Sequence, residues 1–347
     1  MLSAVEQWFC VTFPQGLNPN LECIRLNLDP VQAVHRPFIL YLSMYLITTV
    51  FHLFYLKNWG FQHSGGTEAG IIWGGPIGYL HDVLQSLFTQ TTKESQMKRL
   101  SYYYRPSTSI SSDPQTPIVF IHGIGVGILC YAEFIYQVVT QLDRPIFLVE
   151  LPYVAMHMVD SVPTAIETVS EISNMLNEFG YDKAVYISHS LGTGVTSWVM
   201  NMAPETVAGL ILIDPICFLL HHHHVAFNFV HRLPKTIFEY ILHYGAAREL
   251  YISYYISRHF QWYETIYFCK EVDSVSTNIL ENASIFLSEN DGIVGSTHVH
   301  HYLSKRGAQV HMMEGLRHAM FLTNTEWKNK ILNQIDFISR KADVSNK

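Results

Sequence analysis

The sequence predicts an α/β protein whose mainly parallel sheet is covered by helices on both faces. Short apolar runs with strand character alternate with segments that have the apolar spacing of helices, and this alternation is typical of a parallel sheet. One helix is expected from Thr164 to Phe179, because Gly180 is a usual C-terminal signal. The predicted strands are 101–105, 117–121, 146–149, 184–187, a strand that ends at 214, 284–287 and 309–313.

The segment Ser188–Gly192 joins a predicted strand to a predicted helix through a tight turn centred on Ser190. A sharp turn between strand and helix lifts a serine hydroxyl clear of the sheet, so Ser190 is a candidate nucleophile. Small residues flank the turn because the two backbones nearly touch there, and Ser188 and Gly192 occupy those positions. The commoner motif has glycine at the position of Ser188.

Three further loops follow predicted strands and carry residues suited to chemistry. The glycine-rich loop His122–Gly127 can present backbone N–H groups to an oxyanion. The acidic loop Glu289–Gly292 and the loop Glu314–His318 follow the last two predicted strands. The chain order is therefore oxyanion loop, serine, acid and histidine, and each lies where open parallel sheets place their sites.

Four segments of the chain resemble the α/β-hydrolase superfamily, and the resemblance spans roughly 101–340. These segments are Phe120–Gly125, Ser188–Gly192, Asp291–Val294 and Gly315–His318. The resemblance implies an α/β-hydrolase fold with a triad of Ser190, Asp291 and His318. It also implies that the backbone N–H groups of Ile124 and Leu191 form the oxyanion hole.

Three other polar residues near these loops need separate interpretations. His122 occupies the place of the histidine before the oxyanion glycine, Gly123, in many hydrolases, where it more often braces the loop than transfers protons. Asp214 also follows a strand, and some hydrolases take their acid from that position. Because a proline comes next, Asp214 is first interpreted as a turn or helix-start residue, and Asp291 is the preferred acid. His189 is expected to pack or to form hydrogen bonds within the turn.

Composition narrows the class of protein. The 347 residues are 48% hydrophobic and only 15% charged, which suggests that lipid or a partner contacts part of the surface. The net charge of -7 argues against a nucleic-acid-binding protein. The five cysteines are odd in number and form no C-x-x-C pair, so a reduced compartment is the simpler interpretation.

A long apolar run, 38–56, precedes these segments and is bracketed by Arg36 and Lys57. At about 1.5 Å per residue it reaches roughly 30 Å, the thickness of a hydrocarbon core. The run therefore predicts a single-pass transmembrane helix, with a buried or surface-docked helix as the alternative because four polar residues lower its hydropathy. The basic residues that follow it favour the cytosolic side for the rest of the chain.

The predicted organisation has four parts. They are an N-terminal segment (1–36), the transmembrane helix (37–57), a linker with an amphipathic helix (58–99) and the hydrolase domain (100–347) with a helical cap at about 217–270. The aromatic-rich cap is expected to line an acyl pocket, and the alternative is a helical pair that only packs on the sheet. His221–His224 lies within the cap, but neither an H-E-x-x-H motif nor paired cysteines accompany it, so no metal site is expected.

A looser resemblance connects the chain to uncharacterised fungal and protist membrane-associated members of the superfamily. It lies in Glu150–Tyr153, Leu212–Phe218 and Glu249–Tyr251, and it implies no substrate. The function expected is a membrane-anchored serine hydrolase of apolar or lipid-like acyl esters, with membrane lipid as partner and no cofactor. The alternatives are an acyltransferase with the same triad, although the H-x-x-x-x-D signature is absent from the sequence, and a non-catalytic membrane scaffold.

Overall fold

A computed structural model of the protein describes residues 2–16, 18–20, 25, 28–65, 100–108, 115–159, 161–269 and 279–345. Its centre is an eight-stranded sheet with the order β1-β2-β4-β3-β5-β6-β7-β8. The strands are β1 (Gln62–Gly65), β2 (Ser101–Arg105), β3 (Ile118–Ile121), β4 (Ile146–Glu150), β5 (Ala184–His189), β6 (Val207–Ile213), β7 (Ala283–Ser288) and β8 (Gln309–Met313). β2 is antiparallel to both of its neighbours, and β3 to β8 are parallel. The expectation of a mainly parallel α/β sheet is confirmed.

The described helices of eight or more residues pack mostly beside this sheet. They are α1 (Leu2–Phe9), α2 (Phe38–Val50), α3 (Ala132–Gln141), α4 (Ala165–Glu178), α5 (Leu191–Met202), α8 (Leu250–Arg258), α10 (Ser296–Ser304) and α11 (Thr325–Ser345), while the shorter α6 (His223–Ala226), α7 (Ile237–Leu242) and α9 (Trp262–Thr265) lie between β6 and β7. π-helical turns extend α2 over Phe51–Leu56, α6 over Phe227–His231 and α7 over His243–Ala247. The predicted helix 164–179 is α4, which begins with a capping box at Thr164.

Side chains along each buried strand alternate between two apolar cores. In β3, Val119 and Ile121 face the core that contains α4, α5 and α10, whereas Ile118 and Phe120 face the core that contains α3 and α11. This alternation follows from the two-residue period of a strand, and burial on both faces explains why the strands are continuous apolar runs. The carboxyl ends of the parallel strands therefore lie at one edge of the sheet, between the two layers of helices.

The segment 58–99 is only partly covered by the structure. β1 begins within it and pairs antiparallel with β2, a strand that the sequence pattern did not indicate. The predicted amphipathic helix of this segment lies outside the described residues.

Helix α2 with its extension, Phe38–Leu56, is the one helix in the described part of the chain that is long and apolar enough to cross a membrane, judged by length and composition only. Within its most apolar 18-residue window, 28% is buried inside the protein. Its buried residues lie on one face and pack against the rest of the chain. They are Tyr41, Thr48, Phe51, His52 and Leu56. The helix is confirmed, and its contact with the domain is a feature that hydropathy did not indicate.

Candidate functional site

Ser190 lies in the turn between β5 and α5, with φ 51° and ψ −120°. A positive φ is strained for a serine, and the neighbouring contacts hold it there. A Cβ atom at Gly192 would come 2.3 Å from the Ile121 carbonyl oxygen, so the close approach of helix and strand requires glycine at that position. Ser188 is fully buried, and its Oγ accepts a hydrogen bond of 2.9 Å from Thr196 Oγ1. Serine can therefore replace the commoner glycine at position 188, because Thr196 supplies a buried hydrogen-bond partner for its hydroxyl.

His318 connects the serine to a carboxylate. Its Nε2 lies 2.9 Å from Ser190 Oγ, and its Nδ1 lies 2.7 Å from Asp291 Oδ2. The other oxygen of Asp291 accepts the backbone N–H groups of Ile293 (2.7 Å) and Val294 (2.9 Å). Because Nδ1 donates to the carboxylate, Nε2 is left to accept the serine proton. The structure therefore brings the three predicted residues into one hydrogen-bonded line.

These positions match those of an α/β-hydrolase sheet. The serine follows β5 at a strained turn, the acid follows β7, the histidine follows β8, and all lie at the carboxyl ends of parallel strands. The chain has the α/β-hydrolase fold.

Asp214, the alternative acid, lies behind this line in the α/β-hydrolase site. It is fully buried and accepts hydrogen bonds from Ser288 N (2.8 Å), Ser288 Oγ (3.1 Å) and Ala319 N (3.0 Å). Its Oδ2 is 4.0 Å from His318 Nδ1, beyond hydrogen-bond distance. The structure thus places Asp291 in contact with the histidine, whereas Asp214 holds the backbone that follows it.

Burial lowers the pKa of His318, but the charge of Asp291, its hydrogen bond and the charge of Asp214 together raise that pKa to about 9. Burial raises the pKa of Asp214, yet the nearby imidazoles of His189 and His318 and the Ala319 N–H hold that pKa below its usual value. The site therefore favours an imidazolium next to two carboxylates, which is the charge state that forms when the histidine takes a proton.

The oxyanion loop is held by two neutral histidines. His122 Nδ1 donates to the Gly123 carbonyl oxygen (2.7 Å), and its Nε2 accepts the Leu151 N–H (2.9 Å). Burial lowers the pKa of His122 to about 4, so it stays neutral and braces the loop against the end of β4. Burial likewise lowers the pKa of His189.

Tyr131, which no sequence motif marked, links the oxyanion loop to the serine turn. Its Oη accepts the Gly123 N–H (2.9 Å) and lies 2.6 Å from His189 Nδ1. A hydroxyl that donates to His189 Nδ1 leaves the imidazole proton on Nε2, where the nearby Asp214 carboxylate favours it. That nitrogen faces Asp214 Oδ2 at 3.7 Å. No sequence pattern indicates Tyr131, because its contacts with Gly123 and His189 join loops that are separate in the sequence.

The two predicted oxyanion donors stand beside Ser190. Within the described residues, neither the Ile124 nor the Leu191 N–H has a hydrogen-bond acceptor. Both residues line an apolar cavity of about 240 Å³ together with Ser190, and Ile256 and Phe260 of the segment 217–270 also line it. Free N–H groups at the mouth of an apolar cavity suit an oxyanion, which would supply the missing acceptor.

A second, more polar cavity of about 620 Å³ lies on the histidine side of the site. Its lining includes Asn228, Arg232, Glu239, Asp291 and His318. The two cavities share two lining side chains, those of Phe229 and Ile293. They therefore meet where Ser190 contacts His318.

Two groups of described residues carry side chains of the kind that bind metals. In the run His221–His224, the first three residues line the apolar cavity and His224 stacks on His298 with ring centroids 5.3 Å apart. Asp214, Asp291 and His318 bring ligand atoms within 4.8 Å of one another. Every carboxylate oxygen of this second group already accepts a hydrogen bond from the protein. The arrangement is therefore better suited to orienting the His318 imidazole than to binding a metal cation.

Comparisons with known proteins give distant likenesses. No protein-family model matches the chain. A protein of Mycobacterium phage D29, described as a non-heme haloperoxidase, is 29% identical over 114 residues, and the match covers 31% of this chain and 39% of that protein. The chain thus spans about two-fifths of the curated relative that it matches.

Solved structures with similar folds include two esterases and a phospholipase. A carboxylesterase of the Thaumarchaeon Nitrososphaera gargenis has 13% identity and a TM-score of 0.47, with 72% of this chain and 98% of that chain covered. A Bacillus subtilis carboxylesterase has 13% identity and a TM-score of 0.43, with 78% and 99% covered. A bacterial membrane phospholipase A has 14% identity and a TM-score of 0.46, with 87% and 98% covered. The fold assignment itself rests on strand order and site geometry.

Proposed function

We propose that the protein is a membrane-associated serine hydrolase that cleaves carboxylic esters with an apolar acyl group. The observation that carries the proposal is the hydrogen-bonded line from Ser190 through His318 to Asp291, with distances of 2.9 and 2.7 Å, at the mouth of an apolar cavity. A scaffold without catalysis would need neither the strained serine nor unoccupied N–H groups beside it.

The chemistry follows from these contacts. His318 Nε2 takes the Ser190 proton while Oγ bonds to the ester carbonyl carbon, and the N–H groups of Ile124 and Leu191 stabilise the oxyanion. When the oxyanion collapses, the bond to the alcohol oxygen breaks and His318 donates the proton to that oxygen. Water then attacks the acyl-enzyme with His318 as base, which releases the acid and restores the serine.

The two cavities divide the substrate between them. The acyl part belongs in the apolar cavity, because that cavity contains Ser190 and both oxyanion donors. The alcohol part belongs in the polar cavity, because His318, which must protonate the leaving oxygen, lines it. We therefore propose that the segment 217–270 acts as a substrate-facing cap and that the substrate is an apolar acyl ester of a polar alcohol.

Membrane association is proposed from α2. The side chains that it leaves exposed are apolar, and they include Phe38, Ile39, Leu46, Ile47 and Phe54. A surface of this kind is uncommon on a protein that contacts only water, and lipid-like substrates would be concentrated near it.

A fluorophosphonate probe and a short soluble ester test the hydrolase proposal. The wild-type protein should take up the probe and cleave the ester, whereas Ser190→Ala should lose both, since no other described serine has this geometry. Ser304→Ala, which changes an exposed serine on α10, serves as the control and should behave as wild type. Persistent labelling of Ser190→Ala would assign the nucleophile elsewhere. Ester formation when an alcohol is added would favour acyl transfer over hydrolysis.

A further inference from the structure

Helix α2 makes side-chain hydrogen bonds to the rest of the protein near both of its ends. Tyr41 Oη donates a 2.6 Å hydrogen bond to Glu249 Oε1, and near the other end Tyr103 Oη lies 2.6 Å from His52 Nδ1. Leu56 is fully buried in the core beside α3 and α11. At 1.5 Å per residue, Tyr41 and Leu56 are about 22 Å apart along the helix axis. The domain therefore lies alongside α2 over most of its length.

The opposite face of α2 is apolar throughout. Ile39 and Phe54, near its two ends, are each 63% exposed. No Asp, Glu, Lys or Arg occurs between Arg36 and Lys57, so no such charge interrupts this face. One face is thus packed on protein and the other is free for an apolar environment.

A carboxylate lies level with the middle of the helix. Glu133 lines an open groove of about 560 Å³ together with Leu46, Ile47 and Val50, and its side chain is 66% exposed. Lys328 makes an ion pair with it. Ionised side chains exposed to a hydrocarbon core are strongly disfavoured, so the middle of α2 does not lie at the centre of a bilayer in this arrangement.

We propose that α2 is an in-plane anchor, which lies parallel to the membrane surface with its apolar face in the boundary between headgroups and acyl chains. This inference rests on the proposed membrane association and assigns its geometry. Interfacial helices bury one apolar face by about 5–10 Å, while basic residues remain among the phosphate groups. Lys57, whose side chain is exposed, is placed for that role, and both ends of α2 lie on the same side of the membrane.

The anchor is continuous with the cap. Glu249, which accepts the Tyr41 hydroxyl, also caps α8 by accepting the Ile252 N–H at 2.8 Å. Helix α8 contributes Ile256 to the apolar cavity. Helix α2 therefore lies between the proposed lipid surface and the helix that lines the apolar cavity.

Protease protection tests the topology of the full-length protein. It would carry one epitope tag at each terminus, in sealed membranes, with a detergent-treated sample as the digestion control. The in-plane anchor predicts that both tags are digested or that both are protected in the same preparation. Digestion of one tag and protection of the other would show that α2 spans the membrane and would overturn the inference.

Flotation with vesicles of phosphatidylcholine and phosphatidylserine tests the apolar face. Ile39→Glu with Phe54→Glu should lower the floating fraction by about tenfold or more, because two charges replace apolar side chains at the boundary. The matched control, Ile166→Glu with Phe337→Glu, changes residues that are 73% and 59% exposed on α4 and α11, and it should float as wild type.

Cleavage of a short soluble ester separates the possible failures. The wild type and both double variants keep Ser190 and should retain this activity, which shows that each is folded. If both double variants floated equally, the exposed face of α2 would not be the surface that contacts the membrane, and the inference would be overturned. A wild-type protein that cleaves the ester but does not float would overturn the anchor and the membrane association, while the hydrolase proposal would stand.

Discussion

Two aspartates approach His318, and their distances assign different roles to them. Asp291 Oδ2 is 2.7 Å from Nδ1, whereas Asp214 Oδ2 is 4.0 Å away and accepts the Ala319 N–H instead. Sequence order allowed either residue to serve as the acid. The contact with Nδ1 favours Asp291 because only a direct hydrogen bond selects the tautomer that leaves Nε2 free.

Substitution of the two aspartates should therefore give unequal losses. Asp291→Asn should lower kcat on a soluble ester by about 10⁴-fold, since the wrong tautomer is then favoured. Asp214→Asn should cost about tenfold, because an amide can still accept one of the backbone N–H groups. Steady-state kinetics of the purified variants measure both, and a larger loss for Asp214→Asn would reverse the assignment.

The elevated pKa of His318, about 9, predicts the pH dependence of catalysis. Only the neutral imidazole accepts the serine proton, so kcat/KM should rise with pH, reach half of its maximum near pH 9 and level off above that pH. The same shift stabilises the folded state below about pH 6.5, and that contribution is lost as pH rises through 9. In Asp291→Asn, NMR titration should show a lower pKa for His318. An unchanged pKa would exclude Asp291 as the main cause.

Tyr131 offers a test of the link between oxyanion loop and serine turn. Tyr131→Phe leaves the Gly123 N–H and His189 Nδ1 without a buried partner, which should cost about 1–3 kcal/mol of unfolding free energy. If the hydroxyl positions the loop, kcat should also fall by about tenfold or more with little change in KM. Urea unfolding and kinetics measure the two effects.

Tyr153 provides the matched control for Tyr131. It is also buried, but its hydroxyl has no hydrogen-bond partner among the described residues. Tyr153→Phe should therefore change stability and kcat little. If Tyr131→Phe behaved in the same way as Tyr153→Phe, the hydroxyl would have no positioning role.

Among the secondary-structure elements, α2 with its extension has one exposed apolar face and another face whose side chains belong to the hydrophobic core. Phe51 and Leu56 are buried with residues of β2, β3 and α3. Deletion of residues 1–58 would consequently remove core side chains as well as an anchor. Single substitutions are the cleaner way to separate membrane contact from folding.

The buried bond between α2 and the cap should contribute to stability. Tyr41→Phe removes the hydroxyl that donates to Glu249, and we expect a loss of about 1–2 kcal/mol in the free energy of unfolding by urea. Tyr55→Phe, at an exposed position of the same helix, is the control and should be neutral. Identical unfolding midpoints for the two variants would show that this bond does not hold the cap to α2.

At the scale of the whole molecule, helix α8 and the serine turn together line the cavity that we propose for the acyl group. Ile256→Trp should fill part of the apolar cavity of about 240 Å³. We expect the ratio of kcat/KM for long-chain over short-chain esters to fall by about tenfold or more, with the short ester still cleaved. A ratio equal to that of wild type would place the acyl chain outside this cavity.

Short-range patterns in the sequence were sufficient for strands β2 to β8, for α4 and for the serine turn, because apolar period and turn residues act over a few neighbours, whereas β1 was not indicated. They also indicated Asp291 and His318, since parallel strands bring their carboxyl ends together. The interaction of Tyr131 with Gly123 and His189, and the different roles of the two aspartates, depend on side-chain distances between separate loops. The packed face of α2 likewise depends on Tyr41 meeting Glu249, a contact between residues far apart in the chain. Hydropathy measures how apolar a helix is, whereas tertiary packing decides which side of it protein covers.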